Sequence, residues 1–318
     1  MSRFINPFTD VGFKRIFGQE VNKDLLIDFL NDLLEGERCI KDIKFLDKEI
    51  LPEAAENRSC IYDIFCTNED GEHFIVEMQN RSQSYFKERA IYYLSRAIVR
   101  QGEKGVEWKF NLKAVYGVFF TNFYLTGSEG KLRTDVALCD TATNEQFSDK
   151  LRFIFLELPA FHKEESQCEN DFERWIYVLK NMEKLQRMPF KTRNAVFKKL
   201  EEIGELSALS KEDRIKYDAS IRVYRDNLAT EEFSIQQGLA KGLAQGLEQG
   251  IKQGIKQGLE QGLQQGLQQG LEQGLEQGRG EERVRNAKAM LEYGLTIDQI
   301  SKMLNLTDAE RDKLMSDN

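Results

Sequence analysis

Apolar and polar residues alternate over two neighbouring stretches of the chain, SCIYDIFC (59–66) and FIVEMQ (74–79). That period of two is the mark of β-strands with one face turned to a core. The connecting NEDGEH (68–73) carries the Asp70-Gly71 pair of a tight turn. The pattern predicts a β-hairpin, with Asp63 on the face of Ile61 and Phe65, and Glu77 on that of Ile75 and Gln79. Register decides what it presents. A two-residue Asp70-Gly71 turn sets Asp63 against Met78, and Glu77 then leaves the shared face. An odd-length loop or a bulge sets Asp63 against Glu77, because one residue of slip turns every side chain over.

Around the hairpin the periodicity changes to that of helices. After an Asn6-Pro7 turn, Thr9-Asp10 offers a cap, and Phe13, Ile16 and Phe17 fall at helical spacing. Leu25, Leu26, Phe29, Leu30, Leu33 and Leu34 form a second stripe. Ile43 and Phe45, with Glu49-Ile50, suggest a first strand. A long helix is expected from Tyr85 to Gly102, then buried strands at 112–120 and 152–157, then helices from about 165 to 230. The order predicts an α/β fold with a mixed sheet flanked by helices.

From Gly238 to Gly278 a glycine recurs every fourth residue, mostly followed by Leu or Ile. On a helix this stripe drifts about 40° per repeat, so no straight partner covers it. Each interior glycine also costs roughly 1 kcal/mol. The segment reads as an extended or weakly helical spacer, or as a self-associating helix whose glycines allow close approach. Glu281 to Asn318 is expected to fold into three short helices, with capping-box patterns at Thr296–Gln299 and Thr307–Glu310. It resembles a helix-turn-helix unit, or forms a small helical cap on the repeat. The expected division is 1–230, the α/β domain with helical extension; 231–280, the spacer or oligomerisation segment; and 281–318, the helical C-terminal unit.

Composition narrows the chemistry. The 318 residues carry a net charge of −8, which argues against a generally basic coat but allows a local basic cleft. No run approaches a membrane span or a signal peptide, and the five cysteines form no CxxC pair. The expectation is a cytoplasmic protein with reduced, buried thiols. Two histidines, His73 in the hairpin turn and His162, leave little room for a zinc site or a Ser-His-Asp triad. No phosphate-binding glycine loop occurs, and no small-molecule cofactor is expected. Carboxylates must then carry any catalysis. Asp63 and Glu77 on adjacent strands could chelate a divalent ion that acidifies water and neutralises a phosphodiester. Gln79 would point into the same site and bring an amide, able to orient water or lend its carbonyl to the metal, but no charge. By spacing alone these residues could equally be a solvated acidic face.

Several segments together are more specific. NPFTDVGFKRIFG (6–18), the Asp63 strand, FIVEMQ (74–79), FKERAIYY (86–93) and FLELP (155–159) resemble, in this order, the Rpn family. These are recombination-promoting nucleases, often labelled transposases, of the PD-(D/E)XK superfamily. The resemblance spans roughly residues 3–230 and implies that the mixed sheet is a restriction-endonuclease-like core and that 1–230 is a nuclease-like domain. It implies a Mg²⁺- or Mn²⁺-dependent DNA endonuclease linked to recombination or mobile elements. Asp63 and Glu77 match the metal-binding acids, and Gln79 matches the third position, where the superfamily often has lysine and this family commonly Gln. Asp10, Lys14, Arg89 and Tyr93 fall in the quoted motifs as supporting or substrate-binding candidates. Asp10 and Lys14 also read as a helix cap and a surface cation, Arg89 and Tyr93 as a solvated arginine and a packed tyrosine. The competing readings are a catalytically idle nuclease fold that binds DNA or protein and forms a homo-oligomer through the repeat, and a structural protein assembled by the tetrads.

Overall fold

The computed structural model describes residues 2–50, 60–103, 105, 108–125, 130–192 and 194–316. Ser59, the first residue of the expected hairpin arm, lies outside them. The chain divides into two compact units, Met1–Glu231 and Glu232–Asn318.

The first unit is built on a six-stranded mixed sheet. Its strands are β1 (Ile43–Phe45), β4 (Ile64–Asn68), β5 (His73–Gln79), β6 (Val115–Thr121), β7 (Arg133–Cys139) and β8 (Gln146–Glu157), while β2 (Glu49–Ile50) and β3 (Cys60–Ile61) form a separate pair. The order across the sheet is β1-β4-β5-β6-β8-β7. The β5-β6 and β6-β8 pairs are parallel, the others antiparallel. The strand β6, VYGVFFT, is buried at every residue because it has neighbours on both edges and helices on both faces.

One face receives α1 (Asp10–Phe17), α2 (Lys23–Leu33), α4 (Asp171–Asn181), α5 (Ala195–Gly204) and the first turns of α6 (Lys211–Glu292). There Trp175 is fully buried and packs within 6 Å of Phe17, Phe29 and Phe197, centroid to centroid. Its Nε1 donates to Asp28 Oδ2 at 2.9 Å, so the indole buries no unpaired donor. The other face is covered by α3 (Phe86–Val99), which buries Phe86, Ala90, Leu94 and Ala97 against Phe65, Ile75, Val115 and Phe119. A methyl group on Gly117 would lie 2.6 Å from Leu94, so glycine lets α3 approach the middle of the sheet.

The segment before α1 is fixed by polar contacts. Thr9 caps the helix by accepting the Gly12 N–H at 3.0 Å. Asn6 accepts the Phe8 N–H at 2.7 Å and donates to Glu183 at 2.6 Å, and its own N–H bonds the Tyr217 hydroxyl at 2.8 Å. These bonds hold the start of α1 to the base of α6.

The structure departs from expectation in five places. The strand β7 was not legible, because RTDVALC lies on the sheet edge with every residue half-buried or exposed. His73 opens β5 opposite Thr67 rather than sitting in the turn. Tyr62, not Ile61, shares the face of Phe65; Ile61 is exposed. Cys66 and Cys168 are buried free thiols, but Cys39 and Cys139 are exposed. Finally, the tetrads form part of the continuous helix α6. Three of every four tetrad residues are Leu, Ile, Gln, Glu, Lys or Ala, good helix formers that offset the glycines, and Lys252 pairs with Glu248 at i,i+4.

In the second unit the end of α6 packs with α7 (Ile297–Leu304) and α8 (Asp308–Ser316) around Ala287, Ile300 and Leu314. Reciprocal capping contacts join Thr296 to Gln299 and Thr307 to Glu310. Among the described residues no helix is long and apolar enough to cross a membrane.

A prediction concerns α1. A Cβ at Gly12 would run into the Asn6 carbonyl oxygen, a backbone atom that cannot swing aside. Gly12→Ala is expected to destabilise the first unit by about 1–3 kcal/mol, read as a lower urea midpoint in tryptophan fluorescence. An unchanged midpoint would mean that the Asn6 turn yields freely.

Candidate active site

The hairpin has an odd loop. Thr67 faces His73, and the Asn68 N–H donates to the Glu72 carbonyl at 3.0 Å, leaving Glu69, Asp70 and Gly71 as the turn. Gly71 takes a left-handed φ of +80°, which suits glycine. Asn68 Oδ1 holds the turn by accepting the N–H groups of Asp70 and Glu72 at 3.1 and 2.8 Å. The register then runs Cys66↔Phe74, Phe65↔Ile75 and Ile64↔Val76, which sets Asp63 opposite Glu77.

At that pair the ladder changes character. The Asp63 N–H donates to Glu77 Oε1 at 3.0 Å, and the Met78 N–H donates to Asp63 Oδ2 at 3.0 Å. Each acid therefore takes a backbone donor from the other's strand. On the far side of Asp63, the Leu46 N–H bonds Phe65 O and the Tyr62 N–H bonds Lys48 O, at 2.8 and 3.0 Å. Two steps along one strand match three along the other, a one-residue bulge at Asp63-Ile64. Such a bulge re-aims a side chain, and it places Tyr62 and Phe65 on one face.

Burial sets the electrostatics. Glu77 is 5 % exposed. Burial pushes its carboxyl up to about 8, the Asp63 charge adds to this, and the Asp63 N–H, Arg89 and Lys14 oppose it. Asp63 is also raised, first by burial, against the Met78 N–H and the Lys14 charge. Two like charges out of water favour a proton or a cation between them.

Gln79 makes two hydrogen bonds within the protein. Its Oε1 accepts from Arg89 Nη2, and its Nε2 donates to Arg81 O at 3.1 Å. Arg89 also donates to Gln83 Oε1 at 3.0 Å, and its guanidinium lies 5.5 Å from the Phe86 and Tyr93 ring centres. The strand thus supplies an amide that clamps a cation from α3. Tyr93 packs edge-on against Tyr62, and its carbonyl accepts the Tyr62 hydroxyl at 2.8 Å. It supports the bulge and, through its ring, Arg89. From α1, Lys14 pairs with Asp10 at 2.5 Å. Both act electrostatically on Asp63, while Thr9 is the helix cap.

A family model described as PD-(D/E)XK nuclease family transposase matches residues 7–232. The chain belongs to this family. Comparison with curated proteins and with solved structures found no match. As a member of the PD-(D/E)XK nuclease family transposases it is of a nuclease lineage linked to mobile elements, and the six-stranded sheet flanked by helices agrees with that family's core.

Two residues beyond the expected set belong to the neighbourhood of this nuclease-family site. Lys48 is half-buried beside the bulge, and its ammonium is lowered by burial and by Lys14 while Asp63 and Asp10 oppose the shift. No local pattern marks it, since only the fold brings the β1-β2 link to Asp63. Glu157 is 2 % exposed at the end of β8, and its Oε2 accepts the Leu125 N–H at 2.9 Å. It shares a row with Thr121 and Gln79 across the sheet. FLELP contains it, but spacing gave it no role.

PD-(D/E)XK nucleases generally use divalent metals. Among the described residues no three His, Cys, Asp or Glu side chains gather into a metal cage. The donor set still fits a magnesium-like ion, which keeps several waters and takes only one or two carboxylates. Asp63 Oδ1 and Glu77 Oε2 have no hydrogen bond among the described residues, because the backbone N–H groups occupy the other oxygen of each acid.

The raised carboxyls predict a pH signature. Without metal, the folded state holds the Glu77 proton up to about pH 8, while the unfolded chain releases it near pH 4.3. The folded state binds more protons within that window, so this group's contribution to stability falls as pH rises through it. Thermal melts in EDTA should show a flatter pH dependence for Glu77→Gln than for wild type. At pH 8, Mg²⁺ should raise the wild-type Tm and leave that of Asp63→Asn unchanged. Equal Mg²⁺ shifts in both would place the ion elsewhere.

Proposed function

We propose that this chain is a divalent-metal-dependent DNA endonuclease acting in recombination or mobile-element movement. The observation that carries the reading is the buried pairing of Asp63 with Glu77, each acid oriented by the other strand's backbone and each with one oxygen left over. Family membership supports the same class of chemistry.

In this reading Asp63 and Glu77 would hold the ion with their carboxylates. When bound, a divalent cation supplies charge neutralisation at the scissile phosphate and a more acidic water. The remaining work falls to this chain's side chains. Arg89, fixed by the carboxamides of Gln79 and Gln83, places its guanidinium where it acts on Glu77. A planar guanidinium can contact two phosphate oxygens together. It stabilises the charge that grows on the phosphate as water attacks phosphorus and the bond to the leaving oxygen breaks. Lys14 and Lys48 add positive potential on the α1 side, where they draw the DNA backbone toward the acids.

The test is cleavage of supercoiled and linear DNA in Mg²⁺ and in EDTA, by wild type, Asp63→Ala and Arg89→Ala. Nicking should require the metal and fall by roughly 10²–10³-fold or more in Asp63→Ala. Arg89→Ala should lose about 10–100-fold in kcat, and Arg89→Lys should recover only part, since an ammonium cannot bridge both amides. Equal cleavage by wild type and Asp63→Ala would overturn the site. Absence of cleavage by wild type across metals and salt would favour the idle, DNA- or protein-binding reading.

A further inference from the structure

A second concave region lies at the far end of α3 from the acid pair. It encloses about 580 Å³ and is lined by His73, Arg100, Gln101, Trp108, Asn111 and Lys113, among others. His73 and Glu77 are four residues apart on β5, so the two regions are separated by roughly 13 Å along one strand. Arg89 lies in α3 and Arg100 is its C-cap, about 16 Å apart along the helix axis.

Four observations make this region a built site. First, Arg100 and Lys113 stand on its wall, with Glu103 the one acid among its described lining residues. Second, its shape is locked: the Gln101 side chain accepts the Lys113 N–H at 2.8 Å and donates to the Lys113 carbonyl at 3.1 Å, tying the end of α3 to the start of β6. Third, aromatic faces stand beside the cations. Trp108 packs 4.8 Å from Phe110, which is 79 % exposed, while the Phe65 ring carries the His73 imidazole at 5.6 Å on one contact and the Arg100 guanidinium at 5.8 Å on another. Fourth, the loop that presents Trp108 is strained: Lys109 and Phe110, neither of them glycine, both hold left-handed φ values of 46° and 53°. Side chains other than Gly, Asn and Asp rarely adopt such a backbone, and strain of this kind collects at ligand-binding loops.

We infer that this pocket binds an unpaired nucleotide of a nucleic-acid strand, its base on the Trp108 side and its phosphate against Arg100 and Lys113. Cations tracking a backbone beside an aromatic platform are the common means of holding single strands without reading their sequence. A base inside a duplex cannot enter a concave pocket, so the site selects splayed or single-stranded nucleotides. The inference rests on the proposed nuclease function only for the identity of the substrate as nucleic acid. A strand anchored here would reach the acid pair within a few nucleotides, at about 3.4 Å per nucleotide in stacked form.

The experiment is a fluorescence titration of the full chain with oligothymidylate in EDTA, where cleavage is silent. Trp175 is fully buried in the opposite layer, so ligand quenching reports Trp108. The expected result is a saturable quench. Lys113→Met and Arg100→Gln should each weaken binding at least tenfold and lower the slope of log K against log salt by about 0.7. Trp108→Ala, followed by anisotropy of a labelled oligonucleotide, should lose tenfold or more. Lys113 is exposed, so its variant keeps the test decisive if Arg100→Gln fails to fold. No saturable quench, or affinity unmoved by Lys113→Met, would overturn the inference. An active nuclease without this binding would sink the pocket alone, and binding without any metal-dependent cleavage would sink the nuclease proposal alone.

Discussion

Two carboxyl groups that repel each other are held side by side and out of water by backbone donors that each takes from the other's strand. The rest of the site follows from that constraint. Asp63 and Glu77 can exchange these donors only if their strands are in one register, and that register follows from a three-residue turn closed by Asn68 and Gly71. A slip of one residue would replace Glu77 by Met78 and turn the acid to the other face. The bulge at Asp63 completes the arrangement. It releases Asp63 from the regular ladder with the β1-β2 strand, so its side chain can turn toward β5 while Tyr62 and Phe65 stay in the α3 layer. Burying two acids together is costly unless something compensates. The compensation is distributed: N–H groups from two strands, a guanidinium from α3 and an ammonium from α1.

The third strand position shows how charge can be supplied from a distance in sequence. Gln79 is neutral, yet its carboxamide fixes Arg89, ten residues later, against the acid pair. A lysine on the strand would bring its own charge on a flexible stem. The Gln79–Arg89 pair instead uses a side chain pinned by two carboxamides and two aromatic rings. The Phe86 and Tyr93 rings thus help to fix the position of the guanidinium.

Much of this was legible in the residues. Alternation marked both arms of the hairpin, and Asp70-Gly71 was compatible with the odd loop that places Asp63 against Glu77. Helical stripes located α1, α2 and α3 because their buried faces repeat at i, i+3 and i+4. What escaped was set by tertiary contact. The strand β7 has no apolar face to announce it, since it lies at the sheet edge. Arg89 and Gln79 are each unremarkable alone, and their bond exists only because α3 folds back over β5. Lys48 enters through the β1-β2 link, whose position depends on the bulge. The tetrads leave a spacer and a helix both open, because their glycines oppose a helix that the residues between them favour.

The long helix α6 joins two different constraints. Its first turns belong to the nuclease-like unit: Tyr217 and Ile221 are buried in that core, the Tyr217 hydroxyl accepts the Asn6 N–H, and Arg81 donates to Asn227 at 3.3 Å. These contacts hold the segment that carries α1, and so the Lys14 charge near the acids, which makes the base of α6 part of the site's support. From Gly238 to Gly278 the demands are different. A Cβ placed on any tetrad glycine meets nothing within 4 Å, and the accompanying leucines and isoleucines are exposed. Among the described residues, the first unit's buried core holds no tetrad side chain. What that core takes from α6 is its beginning, where Tyr217 and Ile221 pack and the Asn6 N–H is held.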